Sequence, residues 1–460
     1  MSNTPLKPYP AYMPAGVPWL QQVPEHWEVS PGLSHLRFKQ EKNKGMVEKQ
    51  VLSLSYGRIV IKPKEKLTGL VPESFETYQI VGPGDIIVRA TDLQNDRTSL
   101  RIGEVKDRGI ITSAYLCLNV HNGMVPSFGY YLIHAYDLMK VLYGFGSGLR
   151  QNLDWKDFKR MPLAVPPPEE QHLIVRYLHA LDAKVKRYIR TKRTLIARLQ
   201  EQKQAIIQRA VTRGLDPNVK LKPSGVEWLG EVPEHWEVLR CRFLFREIDK
   251  RSIHGKETHL SMSQTLGLVP SEQVENRTLV SESYAGGKLC ATNDLVLNRL
   301  KAHLGVFALA PQEGVISPDY SVFRGKRPMV MRYFEQVLRS PDCRHELRIR
   351  AKGIVEGFWR LYTDDFNDIF LPVPPVDEQA AILSAMDEDL KGVHEAIRRI
   401  ENEIALMQEY HTRLIADVVT GAVDVREAAK TMEDVAPVEE ALADELELET
   451  EVEEELDTSE

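Results

Sequence analysis

The sequence Pro166-Pro167-Pro168-Glu169-Glu170-Gln171 opens a stretch that runs to Gly214 without a further proline. The pattern recurs as Pro374-Pro375-Val376-Asp377-Glu378-Gln379, followed by a second proline-free run to Gly421. Proline is accepted in the first turn of a helix, and carboxylates there meet the positive end of the helix dipole. Glycine adopts the left-handed conformation that commonly ends helices. Each stretch therefore predicts one long helix, roughly 65 Å in length at about 1.5 Å per residue.

The apolar residues of both predicted helices recur at alternating spacings of three and four, the pattern of a coiled-coil seam. The seam lysines of the first helix make pairing between identical helices unfavourable. We therefore expect an intramolecular antiparallel coiled coil, with pairing between two chains as the alternative. The seam residues are Val185, Ile189, Lys192, Ile196, Leu199, Lys203, Ile206 and Ala210 in the first helix, and Val393, Ile397, Ile400, Ile404, Met407, His411, Leu414 and Val418 in the second.

The repetition extends well beyond the helices. Val23–Val29 (VPEHWEV) recurs as Val232–Val238, and Gly84–Val88 corresponds to Asn293–Leu297. Near-constant offsets of 208 or 209 residues show that one unit is present twice. The predicted organisation is a first module (residues 1–165), a long helix (166–214), a second module (215–373), a second long helix (374–421) and an acidic, disordered tail (422–460).

The modules show short β-rich segments that alternate with amphipathic stretches, which predicts an α+β fold with a small sheet in each module. Strands are expected at Gln50–Ser55, Asp85–Arg89, Ile110–Leu118, Asp294–Asn298 and Ser321–Arg324, and helices at Phe128–Tyr143 and Met331–Ser340.

The formal net charge of −7 has an uneven distribution. Residues 433–460 contain 14 acidic residues and no lysine or arginine, so the rest of the chain carries a net charge of +7. A mildly basic body suits contact with a polyanion. No run approaches the length of a membrane span and the N-terminus lacks the build of a signal peptide, so we expect a cytoplasmic protein that does not bind membranes.

The sequence lacks the motifs of common catalytic sites. It contains no phosphate-binding loop and no H-E-x-x-H, and its four cysteines are far apart without histidines at ligand spacing. We therefore expect free thiols, no metal site, no cofactor site and no catalytic residues in this chain. The simplest interpretation is a binding protein.

The G-V-x-W-L…V-P-E-H-W-E-V opening of each module, the P-P-x-x-E-Q helix start and the twofold layout resemble the DNA-specificity subunit of type I restriction–modification systems. The resemblance covers about residues 14–425. It implies that each module is a target-recognition domain for one half of a bipartite site in double-stranded DNA, and that the paired helices set the gap. It also implies a non-catalytic subunit that docks two methyltransferase subunits, which use S-adenosylmethionine, and through them restriction subunits, which use ATP and Mg²⁺. The acidic tail is a departure from the family pattern.

Two loops in each module are the candidate DNA-contacting segments, because arginine, lysine and small polar side chains read phosphates and base edges. One loop follows the Gly84–Val88 strand or its counterpart, and the other precedes the long helix. The candidates are Arg89, Thr91, Gln94, Asn95, Arg97, Arg101, Ser147, Arg150, Gln151, Asn152 and Lys156 in the first module, and Asn298, Arg299, Lys301, His303, Lys352, Trp359 and Arg360 in the second.

The repeated tryptophans Trp19, Trp27, Trp228 and Trp236 are expected to pack, either against the module core or against a methyltransferase subunit, rather than to stack on bases. Two alternatives for the whole chain stay open. One is a coiled-coil adaptor that does not bind DNA, and the other is a self-contained DNA-modifying enzyme.

Overall fold

In the computed structural model, the described residues are 6–62, 74–96, 99–148, 150–263, 266–273, 284–353 and 359–432; the side chain of His303 is also outside the description. The described chain divides into two compact units. Unit 1 contains residues 6–191 and 402–432, and unit 2 contains residues 192–401. Each unit therefore holds one module and a part of each long helix.

Module 1 is mainly short strands with one longer helix. The helices are α1 (Pro126–Leu138), which continues into a 3₁₀ turn at Val141–Gly144, and α2 (Trp155–Arg160). The strands are β1 (Tyr12–Val17), β2 (Leu20–Pro24), β3 (Glu28–Pro31), β4 (Leu36–Lys39), β5 (Leu52–Ser55), β6 (Arg58–Ile61), β7 (Gln79–Val81), β8 (Ile86–Val88), β9 (Ile102–Glu104), β10 (Gly109–Ile111), β11 (Leu116–Val120) and β12 (Pro162–Val165).

Module 2 follows the first long helix, α3 (Pro168–Arg213). Its helices are α4 (Cys241–Leu244), α5 (Met331–Arg339), α6 (Pro341–Arg350) and α7 (Thr363–Asn367). The strands are β13 (Leu221–Pro223), β14 (Glu231–Pro233), β15 (Glu237–Arg240), β16 (Phe245–Glu247), β17 (Leu260–Ser263), β18 (Gly267–Pro270), β19 (Lys288–Cys290), β20 (Leu295–Asn298), β21 (Phe307–Leu309), β22 (Gly314–Ile316), β23 (Tyr320–Gly325) and β24 (Phe370–Val373). The second long helix, α8 (Val376–Val419), and the short α9 (Arg426–Lys430) complete the chain.

The largest sheet has the same order in both modules, β4-β11-β8-β9 in the first and β16-β23-β20-β21 in the second, and its strand pairs are antiparallel. Alternate residues of β8 and β11 face α1, where Phe128, Leu132 and Tyr136 are fully buried. The α+β prediction is confirmed. One predicted strand, Ile110–Leu118, is wrong as a single element, because a turn at residues 112–115 separates β10 from β11.

The two predicted long helices are confirmed. Gly214 and Gly421, which follow them, have φ values of +71° and +80°, the left-handed conformation expected of a glycine cap. All sixteen predicted seam residues are buried or half-buried. Among the described residues, no helix combines the length and apolarity needed to cross a bilayer.

The helices pack antiparallel within unit 1. Tyr188 donates to Glu403 Oε2 at 3.2 Å, and His411 Nε2 lies 2.6 Å from Asp182 Oδ1. Residue numbers therefore increase along α3 in the direction in which they decrease along α8. Tyr131 of module 1 also donates to Asp182 Oδ2 at 2.7 Å. Burial raises the pKa of Asp182, but the contacts with His411 and Tyr131 outweigh it and leave the pKa below its ordinary value. In unit 2 the equivalent packing is apolar, with Ile207 and Val211 in one core with Ile382 and Leu390.

The predicted start of the acidic tail, residue 422, is too early in the chain. Residues 422–432 belong to the ordered part of unit 1, since Val425, Ala428 and Ala429 are buried in its core. Asp424 N donates to Lys7 O at 2.8 Å and ties this segment to the start of module 1. Burial of small apolar side chains compensates for ordering the segment. The acidic residues 433–460 lie outside the described chain.

Candidate nucleic-acid interface

The repeated His-Trp pair of module 1 is bound by a single carboxylate at the start of α3. Trp27 Nε1 donates to Glu170 Oε1 at 3.1 Å, and His26 Nε2 lies 2.7 Å from Glu170 Oε2. Tyr9 adds a third contact, since its hydroxyl donates to Oε1 at 2.7 Å. Burial and the neighbouring Glu170 raise the pKa of Tyr9, so the hydroxyl keeps its proton. We call this arrangement the carboxylate clamp.

Unit 2 repeats the carboxylate clamp with its own residues. Trp236 Nε1 donates to Glu378 Oε1 at 3.1 Å, and His235 Nε2 lies 2.8 Å from Glu378 Oε2. Trp27 and Trp236 are almost completely buried, and Trp19 and Trp228 are half-buried against the same cores. The prediction that these tryptophans pack is therefore confirmed, with the module core as the partner.

The glutamine that follows each clamp carboxylate connects the helix start to the module. Gln171 Oε1 accepts from Val125 N at 2.7 Å while its Nε2 donates to Pro166 O at 2.8 Å. Gln379 does the same with Val330 N at 2.9 Å and Pro374 O at 2.8 Å. Both glutamines are buried. The Glu-Gln pair thus has a tertiary role beyond the helix dipole, because it fixes α1 or α5 to the start of the following long helix.

The glycine that ends each long helix lies next to the clamp tryptophan of the same unit. A side chain at Gly421 would lie 3.3 Å from the ring of Trp27, and one at Gly214 would lie 3.2 Å from the ring of Trp236. In each unit the tryptophan therefore packs where one long helix starts and the other ends. This contact joins the module to both long helices.

The two candidate loops of module 1 lie against each other. The first, the strand-end loop, follows β8, and the second, the hairpin loop, is closed by the antiparallel pair Ser147 and Asn152. Asp92 N donates to Asn152 Oδ1 at 2.8 Å, and Leu153 N donates to Ala90 O at 2.8 Å. The structure therefore brings the two candidate loops of module 1 together.

The side chains on this surface differ in exposure. Gln94, Asn95, Ser147, Arg150, Asn152 and Lys156 are exposed, whereas Arg89, Thr91 and Gln151 are half-buried. Arg89 Nη1 lies 3.4 Å from Asp96 Oδ2. Gln151 has an internal role, because its Nε2 donates to the carbonyls of Tyr143 and Phe145 at 2.7 and 3.0 Å. Arg97 lies outside the described residues, and the others stay predicted contacts.

Among the described candidates of module 1, the structure contradicts Arg101 as a DNA contact. Its side chain has no exposed area, and its guanidinium donates to main-chain carbonyls of the strand-end loop. A group that is enclosed and fully hydrogen-bonded is not available to a phosphate or a base. The sequence showed a cation in a polar loop but did not show that the loop folds around it.

The candidate loops of module 2 meet in the same way. Lys352 and Arg360 form the antiparallel pair that closes the hairpin loop, and Leu361 N donates to Arg299 O at 2.9 Å. This bond corresponds to the one between Leu153 and Ala90 in module 1. The twofold repeat therefore includes the way in which the candidate loops are joined.

The cations of module 2 are paired with exposed or half-buried carboxylates. Asp319 is shared, since its main-chain oxygen accepts from Arg299 Nε at 2.7 Å and its Oδ1 lies 3.3 Å from Arg360 Nη2. Lys352 Nζ lies 2.6 Å from Asp365 Oδ1. Exposed pairs contribute only about 0–1 kcal/mol, so Lys352, whose side chain is exposed, can exchange its partner for a phosphate.

Three other candidates of module 2, Asn298, Lys301 and Trp359, are half-buried. Lys301 is half-buried, and burial lowers the pKa of its ammonium group. Asn298 Oδ1 accepts from Leu300 N at 3.1 Å, and Trp359 is half-buried. The side chain of His303 lies outside the described residues. All of these assignments stay predictions.

One cation beside this surface was missed. Arg348, on the exposed face of α6, lies over the Trp359 ring at 5.8 Å from its centroid. The signal was present in the sequence, since residues 344–350 contain Arg344, Arg348 and Arg350 immediately before Lys352. Only the fold of α6 distinguishes Arg348 from its half-buried neighbours.

A family model for the type I restriction modification DNA specificity domain matches residues 36–197. The chain is 21% identical over 429 residues to a Methanocaldococcus jannaschii protein named as the specificity subunit of type I restriction enzyme MjaX, covering 88% of this chain and 95% of that protein. It is 22% identical over 434 residues to the MjaVIII specificity subunit of the same organism, with the same coverage.

A solved structure of a type I R-M system contains a chain of similar fold. The TM-score is 0.60 at 14% sequence identity, and the match covers 86% of this chain and 98% of that chain. At this identity the likeness concerns the fold.

Proposed function

We propose that the chain is a specificity subunit of a type I restriction–modification system and that it is the DNA-reading subunit of such a complex, as its similarity to the specificity-domain model and to two specificity subunits indicates. In this proposal each module binds one half of a bipartite site in double-stranded DNA. The modules differ in their loop residues, so the two half-sites differ in sequence. The complex would act in the cytoplasm.

The observation that carries the proposal is the joining of two polar loops in each module. Arg150 and Lys156 in module 1, and Lys352 and Arg360 in module 2, lie on or next to loops that are held together by equivalent main-chain bonds. Joined loops that carry cations suit DNA, because phosphate contacts position a protein and polar side chains read the bases.

We propose that chemistry is supplied by partner subunits. Two methyltransferase subunits would bind S-adenosylmethionine, and restriction subunits would use ATP and Mg²⁺. This chain would contribute the sequence preference and the docking surfaces, with no catalytic residue of its own. Incubation of the purified chain alone with DNA, Mg²⁺ and S-adenosylmethionine is expected to give neither cleavage nor methylation. Turnover by the chain alone would overturn this part of the proposal.

The DNA-binding proposal is tested by site selection from a random duplex library with the full chain and its methyltransferase partner. We expect a site with two specified halves and an unspecified gap. Arg150→Ala and Lys352→Ala should each weaken binding and reduce the slope of log affinity against log salt by about 1 if each contacts one phosphate. Arg108→Ala is the matched control, since Arg108 is an exposed cation outside both loops. Absence of any duplex binding would favour an adaptor that does not contact DNA.

The role of the long helices in setting the gap is tested by adding one heptad to each, after Thr191 and after Glu401, where the two units divide. Seven residues lengthen a helix by about 10 Å, which corresponds to about three base pairs. We expect a longer gap with unchanged half-sites. Selection of the original gap by the lengthened chain would contradict this role.

A further inference from the structure

We propose that Arg101 is a positioning residue that sets the base preference of module 1 by holding the strand-end loop in a single shape. This inference rests on the proposed DNA-reading function. Arg101 does not contact DNA in this proposal. It acts through the loop residues that do.

The guanidinium of Arg101 is surrounded by main-chain oxygens of the strand-end loop. Its Nη1 donates to Thr91 O at 2.7 Å and to Arg89 O at 3.2 Å, and its Nη2 donates to Asp92 O at 3.2 Å and also to Asp96 O. Its Nε donates to the Tyr143 hydroxyl at 3.2 Å. All five N–H donors of the guanidinium therefore have acceptors, four of which are main-chain oxygens of one loop.

The backbone of Arg101 is fixed independently of its side chain. Its N–H donates to Asp137 Oδ2 at 2.8 Å on α1, and its carbonyl accepts from Arg89 N at 2.8 Å. Tyr143 also joins the network, because its hydroxyl donates to Asp96 O at 3.1 Å. The loop is thus attached to the core of module 1 from the inside, while its outer side presents Gln94 and Asn95 to solvent.

Only arginine suits this position. A lysine ammonium has three donors on one atom and cannot reach carbonyls that are spread around a planar group. Loss of the guanidinium would remove a donor from four main-chain carbonyls, of which Asp96 O keeps the Tyr143 hydroxyl. The loop would rearrange to satisfy the others, because unpaired polar groups away from water are strongly unfavourable. The expected result of substitution is a loop with several conformations on an intact module.

The equivalent loop of module 2, which follows β20, has no arginine at the position of Arg101. The connection from Val88 to Ile102 is four residues longer than the one from Leu297 to Phe307, and a buried Val306 occupies the place equivalent to Arg101. The shorter loop contains a 3₁₀ turn at Ala302–Leu304 that ends at Gly305. A longer loop has more conformations to lose, which explains why module 1 needs an internal support. The effect of Arg101 should therefore be confined to one half-site.

The experiment is site selection with the full chain and its methyltransferase partner, using Arg101→Met, Arg101→Lys and the wild type. We expect Arg101→Met to lower discrimination between the best and next-best bases in one half-site by about tenfold, the loss of one good base contact. Preferences in the other half-site should be unchanged, and Arg101→Lys should lie between the two. General unfolding lowers the active fraction for all sequences equally, so it leaves relative preferences unchanged.

Arg339→Met is the matched control in module 2. Its guanidinium donates to Phe307 O at 2.6 Å beside the shorter loop, so any altered preference should fall in the half-site that Arg101→Met leaves unchanged. Equal change in both half-sites with Arg101→Met, or unchanged preferences in a folded variant, would overturn the positioning role. Failure of the wild type to select any sequence would instead overturn the proposed DNA-reading function.

Discussion

The two modules contact the long helices through the same carboxylate clamp, but the residues that hold their candidate loops from inside differ. Trp27 and Trp236 each donate to one glutamate at about equal distances, whereas Arg101 in module 1 is replaced by Val306 in module 2. The carboxylate clamp is repeated because each module attaches to the start of a similar long helix. The loops are free to diverge because each would read a different sequence.

A similar contrast exists between the helix contacts of the two units. Unit 1 contains the polar contact of Asp182 with His411, while the position equivalent to Asp182 in unit 2 is Leu390, which is buried. A polar pair in an apolar seam favours one register, because any shift leaves it without a partner. The duplicated helices are therefore similar in length, at 46 and 44 residues, but differ in the chemistry of their contacts.

The largest expected effect comes from removing the buried tryptophans of the carboxylate clamp. Trp27→Ala and Trp236→Ala should each destabilise their own unit by about 3–5 kcal/mol, since a large side chain is replaced by a cavity. Chemical denaturation followed by circular dichroism measures the loss. If the equivalence of the two clamps is correct, the two values agree; a several-fold difference would break the comparison.

The clamp carboxylates should have smaller and unequal effects. Glu170 has a third donor in Tyr9 and its side chain is 7% exposed, against 27% for Glu378. Loss of a buried acceptor leaves donors unpaired, so we expect about 3 kcal/mol for Glu170→Gln and about 1 kcal/mol for Glu378→Gln. Tyr9→Phe in the Glu170→Gln background is the control, since it removes the extra donor and should reduce the difference.

The pH dependence of unit 1 should include a contribution from His134. Burial, with His411 nearby, lowers the pKa of His134 from 6.5 to about 4, although Asp182 acts in the opposite direction. The unfolded chain takes up this proton near pH 6.5 and the folded chain only near pH 4, so stability falls as the pH falls between these values. From pH 6.5 to pH 5 the wild type should lose about 2 kcal/mol relative to His134→Phe. Parallel stability curves for the two proteins would contradict the prediction.

The smallest effect is expected on the outer face of α3. Arg198 Nη1 lies 2.8 Å from Glu201 Oε2, but both side chains are more than half exposed. Arg198→Ala should change the free energy of unfolding by less than about 0.5 kcal/mol. A larger loss would mean that the outer face, as well as the seam, holds the helices in place. The same denaturation measurement decides between these outcomes.

The features that depend on local pattern or repetition could be predicted from the sequence. The starts and ends of α3 and α8, the sixteen seam residues and the twofold repeat follow from proline and glycine positions and from periodic spacing, and the structure agrees with each. The joining of the two candidate loops in each module required the fold, because the bond between Leu153 and Ala90 connects residues that are distant in sequence.

What only the tertiary structure decided is the role of individual polar side chains. Arg89 and Arg101 are both arginines on one polar loop, yet one is partly exposed and the other is enclosed. The sequence marks Glu170 only as a first-turn carboxylate, whereas in the structure Trp27 and His26 contact its two oxygens. Periodicity is a property of neighbouring residues and is written in the sequence, whereas burial and hydrogen bonding depend on which distant segments the folded chain brings together.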